Sequence, residues 1–184
     1  MAENRREAAL AAAAELIGRR GYAGVSMRDI AEAVGMLPGS LYYHFPSKEA
    51  LFLEVHEAAV AAFHAALDRS LEGVEAPWAR LEAAAAAHLS ELLALGRRVA
   101  IVSPDVGALS PEGAARVLAA REGYDERFRA LFAALDPAPA GPPGLARLML
   151  MGAMNWAPVW RREGGAAPEE IAAAFVRLLR EGAA

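Results

Sequence analysis

Residues 36–46 read MLPGSLYYHFP, two tyrosines and a histidine crowded between a Pro-Gly pair and a second proline. The surrounding chain is rich in alanine and leucine, so the segment stands out. Leu41 and Phe45, at i and i+4, give a short helix one apolar stripe. Pro38 suits its first turn, where a missing N–H costs nothing, and the helix must stop before Pro46. Ser40, Tyr42, Tyr43 and His44 are left on the other faces, each able to donate to a phosphate or meet a base edge. Gly39 has no side chain and would let the backbone come close to a partner. Aromatics tucked against a core are the plainer account, and it fits two tyrosines and a histidine on one short helix poorly.

Working outward, Ser26 and Asp29 have the spacing of an N-cap and its N3 partner, and Met27, Ile30, Ala31 and Val34 supply an apolar face up to Gly35. Two short helices joined through VGML match a helix-turn-helix unit, whose second helix enters the DNA major groove. Asn4 and Glu7 carry the same capping spacing ahead of a first helix ending at Gly21. Ser47 caps a longer helix from Lys48 to Leu71. Lys48, the single lysine of the chain, lies in its first turn, where the helix dipole disfavours a cation by up to about 1 kcal/mol. A phosphate docked there would reverse that sign; a solvated lysine paired with a neighbouring glutamate is the alternative.

Beyond this region the pattern stays helical. Helices are expected over Pro77–Leu95, Pro111–Leu135 with Gly123 as a kink point, Leu145–Arg161 and Pro168–Glu181, and VSPDVGALSPEG and DPAPAGPPG read as a break and a linker. The fold class is therefore all-α, with an N-terminal helix-turn-helix domain over residues 1–46 and a larger helical domain over 47–184. At 184 residues and 55% hydrophobic content, the chain can bury a sizeable core. There is no cysteine, hence no disulfide framework. MAENRREAAL lacks an apolar h-region and Leu148–Trp160 is too short to span a bilayer, so a soluble cytoplasmic protein with no membrane partner is expected. The net charge is −4, yet six basic residues balance six acidic ones in the first fifty, so charge neither favours nor excludes DNA.

GYAGVSMRDIAEAVGMLPGSLYYHFPSKEALF, residues 21–52, resembles the DNA-binding region of TetR-family transcriptional repressors. The resemblance rests on Gly21-Tyr22, Ile30-Ala31, Gly35, Gly39-Ser40-Leu41-Tyr42, His44-Phe45, Lys48 and Leu51. It implies that Ser26, Arg28, Tyr43, His44 and Lys48 contact the DNA backbone and that Pro38, Gly39, Ser40 and Tyr42 lie in the major groove. Leu37 departs from the pattern, since many members have Ser or Thr there to cap the recognition helix. The family also implies an effector-binding, homodimerising second domain. Independently, the Leu145–Trp160 helix is apolar on too many sides for one small domain, and it could form a four-helix interface with Ile171, Phe175, Leu178 and Leu179 across a two-fold axis.

GAMNWAPVWRREGGAAPEEIAAAF resembles the C-terminal stretch of TetR-family members that respond to acyl-CoA thioesters, with Arg161 and Glu163 as departures. An effector cavity would be lined by Leu89, Leu92, Val99, Tyr124, Phe128, Met149 and Trp156. His88, Arg97, Arg98 or Arg121 would be polar handles for a carboxylate, thioester or phosphate. Met and aromatic residues at this spacing are usually core and arginines usually line a solvated face, so most of this set is expected to be structural, and Arg121 could simply pair with Asp125 at i+4. His56 and His64 share a helix face without metal-ligand spacing. No nucleophile elbow, phosphate loop or paired acid motif appears, so neither an enzyme nor a cofactor or metal is expected; Ser103 and Ser110 read as cap or turn residues. The leading expectation is a repressor released from a palindromic operator by a small hydrophobic effector. The alternative is a helical lipid- or acyl-binding protein without DNA-binding activity.

Overall fold

Among the described residues, eight α-helices and two short 3₁₀ segments build the protein, and no strand occurs. The computed structural model describes residues 2–102, 104–139, 141–162 and 164–182. Ser103, Glu163 and the side chains of Arg97 and Val99 lie outside the described residues. The helices are α1 Ala2–Arg20, α2 Met27–Ala33, α3 Pro38–His44, α4 Lys48–Leu71, α5 Pro77–Leu95, α6 Pro111–Ala133, α7 Pro143–Trp160 and α8 Pro168–Glu181. The break before α6 holds the 3₁₀ segments Gly96–Ile101 and Val106–Ala108.

Local chemistry explains most boundaries. Gly21, Gly35 and Gly96 end their helices at φ of 71°, 66° and 53°, a region that an L side chain rarely adopts. Proline sits in the first turn of α3, α5, α7 and α8. Asn4 is a correction: α1 already begins at Ala2, so Asn4 lies inside the helix rather than capping it. The alanine-rich, strongly helix-favouring run carries the helix past it.

The chain divides into two compact units, Met1–Ala61 with Arg97–Arg121, and Ala62–Gly96 with Glu122–Ala184. In the first, Ala9, Ala13, Ile17, Ile30, Leu41, Phe45, Leu51 and Phe52 form the core, joined by Ile101 and Val117 from the returning segment. That segment is tied back by polar contacts. Ser110 donates its backbone N–H to Glu49 at 2.8 Å and its hydroxyl to the same carboxylate. His56 donates Nδ1–H to the Ile101 carbonyl at 2.8 Å. Gly113 packs closely on the same carboxylate: a Cβ there would lie 2.6 Å from Glu49 Oε1, so a larger residue would displace the glutamate side chain.

In the second unit α5 packs against α7 and α8, with Leu81, Leu89, Leu150, Met154, Ile171 and Leu179 buried. Trp78 Nε1–H donates to the Pro137 carbonyl at 3.1 Å. Asp125 accepts from Arg147 and, at 2.9 Å, from Arg129, while Arg121 in the first unit donates to Pro104 O at 3.1 Å. These partners take the place of the Arg121–Asp125 pairing that the i+4 spacing offered as an alternative. Helix α4 is the one described helix long and apolar enough to cross a membrane by length and composition. Its Leu51, Phe52, Leu53, Val55, Phe63 and Leu67 are buried inside the protein instead.

Candidate nucleic-acid interface

Helices α2 and α3 stand on their apolar residues and turn the rest outward. Met27, Ile30 and Ala31 of α2, and Leu41 with the C-cap Phe45 of α3, are buried. Pro38, Gly39, Ser40, Tyr42 and Tyr43 are all exposed, Tyr42 by 52% and Tyr43 by 88%, with His44 half-buried. Tyr43 meets the His44 ring edge-on at 5.6 Å, so both rings are positioned at the end of the helix. No heavy atom lies within 4 Å of where a Cβ on Gly39 would stand. The room beside Gly39 therefore faces outward and is open to an external partner.

Ser26 shows its role directly. Its Oγ accepts from Asp29 N–H at 3.2 Å while the Asp29 carboxylate accepts from Ser26 N–H at 2.7 Å, a complete capping box. These hydrogen bonds hold the exposed Asp29 carboxyl below the usual carboxylate range, with Arg20 at 3.9 Å adding to them. Arg28, in the first turn of α2, is exposed.

Lys48 has a fixed position that its sequence context did not disclose. Its ammonium donates to the carbonyls of Tyr22 and Val25, each at 2.9 Å, and lies 4.1 Å from the centre of the Tyr22 ring. It thus ties the α1–α2 turn to the start of α4, and neither a free surface lysine nor a glutamate pair describes it. Two of three N–H donors are engaged, which leaves one for an anion. An open concavity of about 560 Å³ runs beside it, lined by Val25, Ser26, Tyr42, Pro46, Ser47 and Lys48 among others. Residues from three stretches of sequence thus share one recess, with the capped N-terminus of α4 at its edge: Ala50 N–H donates to Ser47 Oγ at 3.0 Å.

The residues expected to line an effector cavity are only partly brought together. His88 and Leu92 on α5 and Tyr124 and Phe128 on α6 are buried in the second unit. His88 lies 5.4, 5.7 and 6.1 Å from the rings of Phe63, Tyr124 and Phe128. Its Nδ1 is 3.3 Å from Tyr124 Oη and its Nε2 is 3.2 Å from Asn155 Oδ1. A neutral ring satisfies both, accepting from the tyrosine and donating to the amide. Burial pushes the His88 pKa down to about 4, against the opposing Asn155 bond, and pushes Tyr124 up. Met149 and Trp156, however, are 60% and 62% exposed on α7, and Arg98 and Arg121 belong to the first unit. Asn155 was missed because a lone amide in an apolar helix carries no sequence signal. Among the described residues, no group of three His, Cys, Asp or Glu is placed to hold a metal.

Residues 9–55 match bacterial regulatory proteins of the tetR family, and residues 74–183 match the tetracyclin repressor-like C-terminal domain. Over 51 residues, 28% of this chain, the sequence is 49% identical to the HTH-type transcriptional repressor KstR2 of Rhodococcus jostii (strain RHA1). The matched segment spans 25% of that relative's own length. The TetR-family transcriptional regulator PfmR from Thermus thermophilus superposes with a TM-score of 0.82 at 27% identity, covering 96% of this chain and 95% of that one. AibR, solved in complex with isovaleryl coenzyme A and operator DNA, gives 0.80 at 27% identity over 95% of this chain and 97% of its own. With the second match alone extending over more than half of the chain, and with the helix-turn-helix geometry just described, the protein belongs to the TetR family of bacterial regulators.

Proposed function

We propose that the protein is a cytoplasmic, homodimeric transcriptional repressor that leaves a palindromic operator when a small hydrophobic effector, an acyl-CoA thioester, binds. The observation that carries the DNA reading is the outward face of α3, where Gly39, Ser40, Tyr42 and Tyr43 are exposed beside the recess holding Lys48. In this reading residues 1–46 are the DNA-binding domain and 47–184 the effector-binding and dimerisation domain. Pro38, Gly39, Ser40 and Tyr42 enter the major groove, and Ser26, Arg28, Tyr43, His44 and Lys48 hold phosphates.

Dimerisation is supported by α7. Leu145, Leu148, Met149, Trp156, Val159 and Trp160 are 45–65% exposed and recur at intervals of three and four, with exposed Gly152 among them. They form one continuous apolar stripe, which a second copy would cover around a two-fold axis. The effector reading draws on the buried His88 and Tyr124, hydrogen-bonded to each other among the rings of Phe63 and Phe128 and reaching the exposed Asn155 of α7, and on the similarity to AibR with its isovaleryl coenzyme A.

The test is a gel-shift on the DNA upstream of the protein's own gene at fixed salt, repeated with acyl-CoA thioesters of graded chain length. Specific retardation released by one thioester class is the expected result. Retardation that no thioester disturbs would discard the effector class, and no specific retardation would discard the repressor.

A further inference from the structure

Leu37 stands 75% exposed at the N-cap of α3, immediately before Pro38, Gly39 and Ser40. Its backbone is in use: the carbonyl accepts from Ser40 N–H at 2.9 Å and Leu41 N–H at 3.2 Å, which starts the helix. Its side chain makes no capping hydrogen bond. An N-cap is where serine, threonine, aspartate or asparagine stabilises a helix, and leucine is among the poorest choices. The same chain places serine at the corresponding position of α2 and α4, so the better chemistry is in use on both sides. A helix of seven residues has little cooperative reserve to absorb the difference.

Leucine here omits a cap and, standing in water, gains nothing for the fold of the single chain; burial against a partner would recover that apolar surface. Pro38 at the first helical position offsets part of the missing cap, as Pro does at the equally uncapped starts of α5, α7 and α8, but of these four only α3 carries a large apolar side chain left in water at its N-cap, which points to a partner outside the chain. Its neighbours identify that partner. Pro38, Gly39 and Ser40 are exposed beside it, and the space next to Gly39 is open. Among the chemical groups a major groove offers, one is apolar, the 5-methyl of thymine. The geometry points to Leu37 as a specificity-determining residue that packs against a thymine methyl in each operator half-site, an inference that rests on the DNA-binding reading above.

The experiment uses the full chain. A binding site is enriched from random double-stranded DNA, and each thymine of that site is replaced by deoxyuridine, which removes the methyl and nothing else. For the wild type, one symmetry-related pair of replacements lowers affinity about fourfold per half-site, or about 15-fold together. The Leu37→Ser variant loses sensitivity at that pair alone and melts about 2–4 °C higher, because it regains the cap. A Leu37→Ser variant that keeps the same methyl dependence, or a wild type indifferent to every replacement, overturns the inference while leaving the DNA-binding reading intact. Failure to enrich any site sensitive to Tyr42→Ala overturns both.

Discussion

Gly39 separates a structural from a functional demand at a single residue. A methyl group at this position meets nothing within 4 Å, and alanine is the better helix former by roughly 0.5–1 kcal/mol. Gly39→Ala should therefore leave thermal stability equal or slightly raised while weakening operator binding at least tenfold, measured by melting and by titration with DNA. Lys48 gives the opposite pattern, because it is both internal glue and a candidate phosphate ligand. Lys48→Met leaves the Tyr22 and Val25 carbonyls without their donor and should cost about 1–3 kcal/mol in denaturant unfolding. The slope of log affinity against log salt should fall by about one in each half-site. The sequence marked Lys48 as unusual through its place in a first turn, but not its carbonyl partners, which lie 23 and 26 residues away in the chain. His88 makes a third prediction. Its folded pKa, about 4, lies below the ordinary histidine value, so the unfolded chain takes up the proton first as pH falls. The stability associated with the neutral ring is complete above pH 6.5 and declines toward pH 4 at about 1.4 kcal/mol per unit. Urea unfolding compared between wild type and His88→Asn should show this slope only in the wild type; parallel curves would mean that the ring is not buried neutral.

Helix α2 shows what the sequence discloses at the scale of an element. Ser26 and Asp29 have capping-box spacing, and the box forms, so a helix of seven residues is closed at its start by two reciprocal hydrogen bonds. Ser26→Ala should cost about 1 kcal/mol, read as a lower urea midpoint with unchanged m-value. Prolines opening α3, α5, α6 and α8 and left-handed glycines after α1, α2 and α5 were legible for the same reason, each requirement being met within a few residues, whereas Pro143, which opens α7, lay inside the stretch read as a linker. The return of Arg97–Arg121 to the first unit was not legible. Its evidence is long-range, an Ile101 carbonyl on His56 and a Ser110 cap shared with Glu49, and Ser110 by itself looks like an ordinary helix start. The short α3 was placed correctly from Leu41 and Phe45, yet its uncapped start at Leu37 makes sense only once the side chain is seen to be exposed.

At the scale of the whole molecule the decisive quantity is how many heads engage DNA at once. Two half-sites about 34–36 Å apart are read together only if two copies are joined, and joining them turns the second contact into an intramolecular one worth a factor of about 10²–10⁴. The exposed stripe on α7 is where that joining would occur, and its side chains contribute little to the single chain because they stand in water. Replacing Leu148 and Val159 together by glutamate should therefore halve the mass seen by sedimentation and leave the helical content of each chain unchanged. Affinity for the full palindrome should fall at least about 100-fold, while affinity for an isolated half-site stays within about twofold of wild type. A doubly substituted chain that still sediments as a dimer would move the interface away from α7. One that is monomeric yet keeps its affinity for the palindrome would show that each head reads its half-site alone, leaving an effector no head-to-head spacing through which to act.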